Sequence, residues 1–260
     1  MIKPGHLSSP PITEVICGVI FESIRDLDPL VLGLYWETRR REFPNHQLQP
    51  PIGDDPAIVV AGLAALRTWL LSNDDTFVIQ IQQDRFYLNW RARGQAYPRF
   101  SDTSSEQGIL SRFLFEFSEF SAFCDKRLGL SPVASRIELA KVDHFIQGEH
   151  WSDFRDLSSM LPWLSVFTHF SSSDDPLIAL RFTEEIDGGR LAISLDSAMG
   201  ERSDQTAFKL MKLETRVVRT VSSELRTEYM AANDHLNRVF FAMIPAEQRE
   251  ARFNRHGGVQ

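Results

Sequence analysis

The sequence predicts an α+β fold in which antiparallel sheets carry long packed helices, and three observations predict it. Phe77, Ile79 and Ile81, then Phe86, Leu88 and Trp90, alternate with their neighbours across the short connection Gln83-Asp84. That is the period of antiparallel strands joined by tight turns. Leu110, Phe113, Leu114, Phe117, Phe120, Cys124 and Leu128 then recur at helical spacing, forming a seam long enough to lie across a sheet. Finally, the second half repeats the order strand, helix, three or four strands, long helix, without residue identity at a fixed period. Two α+β halves follow, 1–130 and 131–260, which can merge into one continuous domain.

The elements follow in order. Pro10-Pro11 stiffens the approach to a β-branched run within Pro10–Glu22, read as a strand over Thr13–Glu22, whose apolar residues occupy both faces. A strand wet on one face would alternate more cleanly, so this one belongs near the centre of a sheet, with Gly18 where something comes close. Asp28-Pro29 is an N-cap followed by proline at the first helical position. Leu30, Val31, Leu34, Tyr35 and Thr38 mark the helix, and Pro44 stops it. The stretch Pro44–Pro56 holds four prolines and reads as a loop. Leu66, Thr68 and Leu70 alternate weakly before a turn at Asn73-Asp74-Asp75. The long helix, about 105–128, takes Ser104 or Ser105 as its cap and ends at Gly129 and Pro132.

In the second half, Val133–Phe145 reads as a strand and Trp151–Met160 as a short helix before Pro162. Trp163–Phe170, Leu177–Thr183 and Leu191–Leu195 read as strands, the last two joined by a hairpin at Asp187-Gly188-Gly189. Phe208–Val218 is a further strand. Leu225, Tyr229, Ala232, Leu236, Val239, Phe240 and Met243 then mark a helix, about 223–243, ended by Pro245.

Composition limits the function classes. The net charge of -7 repels polyanions in bulk, so nucleic-acid binding would need a segregated basic face. Cys17 and Cys124 sit among apolar residues and read as reduced core thiols. Met1–Ser9 has no signal-peptide pattern, and no apolar run approaches the ~20 residues of a membrane helix. The chain reads as soluble and cytoplasmic, with no membrane partner. There is no G-x-G-x-x-G, no G-x-x-x-x-G-K-[ST] and no G-x-S-x-G, so no motif implies a cofactor or a catalytic residue.

Two constellations could carry chemistry. Residues 81–100 hold four arginines against one acid, interleaved with aromatics. Arg85, Tyr87, Arg91, Arg93 and Arg99 could therefore track a nucleic-acid strand, guanidinium groups on phosphates and rings on bases. In strand geometry Phe86, Leu88 and Trp90 take the buried face. Arg85, Tyr87, Asn89 and Arg91 are left on a solvated one. The second constellation is Asp143, His144, Glu149 and His150, with Asp153 beyond. These ligand types suit zinc, iron or manganese in a metal-dependent hydrolase. Their spacing matches no established site, and residues 143 and 144 point to opposite faces of a strand. His169, among Phe167 and Phe170, reads as a half-buried core histidine, and Arg39-Arg40-Arg41 as a helix C-terminus complementing the dipole.

Several segments together resemble one family, a sporadically distributed prokaryotic group of uncharacterised, hypothetical proteins. They are Pro10-Pro11-Ile12-Thr13-Glu14-Val15, Phe77–Tyr97 with Arg85-Phe86-Tyr87-Leu88-Asn89-Trp90, Ser135–Ile146, and His235-Leu236-Asn237-Arg238-Val239-Phe240-Phe241. They stand in the family's order and span nearly the whole chain. The resemblance implies a shared fold, and a setting in mobile or defence-type loci. Where the family tends to carry an aromatic after the strand at Arg136–Ala140, this chain has Lys141-Val142-Asp143-His144. The expected function is a non-catalytic interaction or scaffold protein that binds a protein partner or self-associates. The alternatives are a nucleic-acid-binding accessory factor and a metal-dependent hydrolase.

Overall fold

The computed structural model describes residues 7–52, 67–101, 108–170, 176–201 and 204–253. Its strands are β1 (Ile12–Phe21), β2 (Asn45–Gln49), β3 (Arg67–Leu71), β4 (Phe77–Gln82), β5 (Arg85–Arg91), β6 (Ala134–Ile146), β7 (Ala179–Ile186), β8 (Gly189–Glu201) and β9 (Ala207–Thr220). They form one nine-stranded sheet in the order β2-β3-β4-β5-β1-β6-β9-β8-β7. Helices α1 (Pro29–Arg39), α2 (Ile109–Leu128), α3 (Phe154–Met160), α4 (Leu225–Met243) and α5 (Ala246–Phe253) complete the fold, with a 3-10 segment at Pro162–His169. The α+β class holds, and β1 takes the middle place its two-faced apolar run requires. The repeated element order is visible in the sheet. In each half the first strand (β1, β6) is innermost, and the last strand of the meander (β5, β9) lies beside it.

The chain divides into two compact units, each drawn from more than one stretch of sequence. One comprises Glu14–Leu139 and Val218–Met230. The other comprises the N-terminal residues through Thr13, Ala140–Val217 and the chain from Ala231 onward.

In the first unit, β1 pairs antiparallel with β5, β5 with β4, β4 with β3 and β3 with β2. The Phe86 ring meets those of Phe113, Phe117 and Phe120 at 6.3, 5.7 and 5.0 Å, which fixes the apolar side of α2 on this sheet. Gly18 stands opposite Tyr87, and a Cβ there would lie 2.1 Å from the tyrosine ring. The close approach read from the sequence is thus an aromatic ring laid over a glycine. The Tyr229 hydroxyl, on α4, donates to the Gly18 carbonyl. Cys17 and Cys124 are both buried and free.

Several expectations are corrected here. The loop predicted at 44–56 contains β2, a polar strand made by backbone pairing with β3, which side-chain periodicity cannot announce. Residues 53–56 of that loop, Leu66, and the proposed caps Ser104 and Ser105 lie outside the described residues. The first N–H groups of α2, at Ile109 and Leu110, instead find the carbonyls of Arg99 and Phe100, both at 3.1 Å. Asp28 caps α1 as read, accepting from Leu30 and Val31 at 2.9 Å. The buried side of α1, however, is Leu32, Tyr35 and Arg39, while Leu30 is 81% exposed. Arg39 turns inward because Glu116, fully buried on α2, accepts from it at 2.7 and 2.9 Å. It is more than a charge placed for the dipole.

In the second unit, Phe145, Trp151, Phe154, Leu157, Met160, Leu164, Leu195, Met211, Leu213, Ile244 and Phe253 build a core. Trp151 anchors the turn after β6 by donating Nε1–H to the Phe145 carbonyl at 2.8 Å. The strand expected at Trp163–Phe170 is the 3-10 segment instead. Pro162 opens it, and the Thr168 hydroxyl donates back to the Ser165 carbonyl at 2.7 Å, a local bond that competes with extended backbone. His169 there is exposed, not half-buried. The hairpin at Asp187-Gly188 is present, Gly188 at φ 70°, between β7 and a β8 longer than read. Helix α5, beyond Pro245, was not foreseen. Phe253 sinks into the core from it, and Arg252 pairs with Asp156 at 2.5 Å.

Candidate functional site

The side of β4 and β5 carrying the arginines is not solvated. Arg85 is buried and clamps Asp84 with two bonds, 3.0 Å at Nε and 2.8 Å at Nη2. Tyr87 is buried too, its hydroxyl donating to Glu138 Oε2 at 3.0 Å. A hydrogen-bonded line crosses the neighbouring strands. Arg67 donates to Gln80 at 2.9 Å, Gln80 to Asn89 at 2.8 Å, and Asn89 to Glu14 at 2.6 Å. Arg91 lies between Glu14, at 3.4 Å, and Asp75, at 3.1 Å, with its guanidinium 5.1 Å from the Trp69 ring centre. Arg93 also binds Asp75, and Arg99 sits over the Tyr97 ring at 5.8 Å. Three of the five proposed contacts are therefore arginines already matched by carboxylates. Alternation along β5 was legible in the sequence. The partner acids were not, because Glu14 and Asp75 come from other strands and turns.

The residues singled out for metal are also distributed. Asp143 is buried beneath α4 on the same side of β6 as Lys141, whose ammonium donates to Asn233 and Asn237, both at 2.7 Å. Burial in this interior pushes the Asp143 carboxyl up to about 7, against the pull of the Lys141 charge. The His144 backbone N–H donates to the Pro11 carbonyl at 2.9 Å. His150 Nδ1 accepts from the Ile146 N–H at 2.9 Å, and its ring stacks toward Phe253 at 5.6 Å. Glu149, exposed, stands 3.8 Å from His150 Nε2. Among the described residues no group of three or more His, Cys, Asp or Glu side chains could hold a metal ion. The Lys141 cluster arranges side chains under a helix and presents no base to solvent.

The surface that sequence reasoning missed is an apolar corner of the second unit. The 3-10 segment buries only Leu164, leaving Val166 and Phe167 outward. Phe170 is 82% exposed, and Leu177, which leads into β7, is 88% exposed. Phe167, Phe170, Leu177, Ile178 and Leu180, together with the buried Phe154, line a pocket of about 310 Å³. Scattered exposed hydrophobics need no explanation, but a contiguous group around a concavity marks an interaction surface. The sequence did carry a signal, the aromatic density of Trp163–Phe170. The strand that this density suggests would turn alternate side chains inward, whereas the 3-10 segment buries Leu164 alone.

No family model, curated protein or solved structure matches the chain. Fold and surface together define an α+β protein with a nine-stranded antiparallel sheet and an exposed apolar corner. Among the described residues no helix is long and apolar enough to cross a membrane.

Proposed function

We propose that this chain is a non-catalytic interaction protein, a cytoplasmic scaffold or regulatory component of the kind found in defence-type loci, which works by docking another polypeptide. The observation that carries the reading is the corner formed by Phe167, Phe170 and Leu177, apolar side chains held outward around a pocket that the half-buried Leu180 also lines. Covering such a surface removes apolar area from water at about 25 cal/mol per Å², which is the main driving force of association. The ion-paired state of Arg85, Arg91 and Arg93 supports this reading over nucleic-acid binding.

Phe170→Asp/Leu177→Asp tests it, since both positions are too exposed for the fold to depend on them. Cross-linking in cells followed by purification should give a stoichiometric polypeptide, a partner or a second copy, on the wild-type chain and none on the variant. A wild-type chain that comes out alone, or a variant that retains the polypeptide, overturns the reading.

A further inference from the structure

Strand β7 closes one end of the sheet, and its outer edge pairs with no strand among the described residues. Such an edge is a template for another strand unless it is short, bulged, or blocked by proline or lysine. The opposite end is protected in this way, for β2 has only five residues, Asn45–Gln49, mostly polar. β7 has eight, with neither proline nor lysine, and pairs with β8 in unbroken register from Ala179↔Asp196 to Ile186↔Gly189. Phe182, in its middle, is 51% exposed.

Backbone parity determines how a second strand can add. The two-residue turn Asp187-Gly188 makes Ile186 and Gly189 a hydrogen-bonded pair, so even-numbered residues of β7 direct N–H and C=O toward β8. The bond from Ser197 N–H to the Ile178 carbonyl, 2.8 Å, follows the same parity. Arg181, Thr183 and Glu185 therefore present theirs outward. A two-fold antiparallel partner must match odd residues with odd ones. Centred on Thr183, it sets Arg181 against Glu185 of the other copy on one face, twice by symmetry. On the other face it sets Leu180 against Ile186 and Phe182 against Glu184, with the two Phe182 rings diagonal neighbours across the axis. The strand is complementary to itself in charge on the Arg181 face and apolar at the Leu180–Ile186 pairs, at a register its own hydrogen bonding allows.

We infer that the occupant of this edge is a second copy of the same chain, joined antiparallel through β7 about a two-fold axis at Thr183. The inference rests on the interaction reading above and names its partner. Arg181 already meets Asp196 at 2.7 Å, and Glu185 stands opposite Arg190.

Sedimentation equilibrium of the purified chain tests it. The wild type should be a dimer at micromolar concentration. Thr183→Pro removes an outward N–H that the fold does not use, and should give a monomer with unchanged circular dichroism and melting. Arg181→Glu should raise the dimer dissociation constant by about tenfold or more, and Arg181→Glu/Glu185→Arg should restore it. A monomeric wild type, a Thr183→Pro variant that still dimerises, or a charge swap without rescue overturns the inference. If Phe170→Asp/Leu177→Asp still abolishes capture of a polypeptide in those cases, the interaction reading survives its loss. If it does not, both fall.

Discussion

Asp143 shows how much one side chain's surroundings change its chemistry. On the sequence it is a ligand-type carboxylate beside a histidine, but in the fold it lies in an apolar interior with Lys141 as its nearby charge. Its carboxyl, ordinarily at 3.8, is raised to about 7 by burial. The folded chain therefore holds this proton more tightly than the unfolded one. Its contribution to stability is complete below 3.8, falls as pH rises through about 7, and is level above. Asp143→Asn removes the titration. Urea unfolding should show the variant more stable than wild type at pH 8, by about 1–4 kcal/mol, with the difference vanishing near pH 4. A difference independent of pH would mean that Asp143 is ionised in the fold.

At the scale of elements, α1 and α2 are joined by a buried ion pair. Glu116 is enclosed and raised by burial, while the charges of Arg112 and Arg39 pull it down. Tyr35 packs beside it against Phe120 at 5.4 Å and Phe123 at 5.2 Å. Removing one member of such a pair strands the other charge, whereas replacing both by apolar groups of similar volume is often neutral. Arg39→Ala should therefore cost about 3–5 kcal/mol in urea unfolding, and Arg39→Met/Glu116→Leu far less. Equal costs for the two would show that the pair holds the helices together by net attraction. Arg39-Arg40-Arg41 reads from the sequence as a helix C-terminus complementing the dipole, because the acid that draws Arg39 inward lies on another helix.

For the whole molecule the net charge of -7 and the local pairing of arginines act in the same direction. Arg85, Arg91 and Arg93 would have to leave Asp84, Glu14 and Asp75 to reach phosphates. A working groove with three such contacts would give a salt slope of about −2 for single-stranded nucleic acid. Fluorescence anisotropy should instead show no binding tighter than micromolar at physiological ionic strength. A salt-sensitive shift at nanomolar protein, abolished by Arg91→Glu, would place the nucleic-acid reading first.

What the sequence by itself determined is whatever local periodicity and punctuation can state. It determined the α+β class, the central β1, the Asp28-Pro29 start of α1, the α2 seam ending at Gly129, the Gln83-Asp84 and Asp187-Gly188 turns, and the repeated element order. Only the tertiary structure decided what depends on partners distant along the chain. β2 exists because β3 offers it a backbone to pair with. Arg39 is buried because Glu116 neutralises it there. Phe170 is outside because the 3-10 segment, not a strand, leads to it. The physical reason is common to all three. Periodicity says which residues can share a face, but burial and charge pairing depend on what the fold brings against that face.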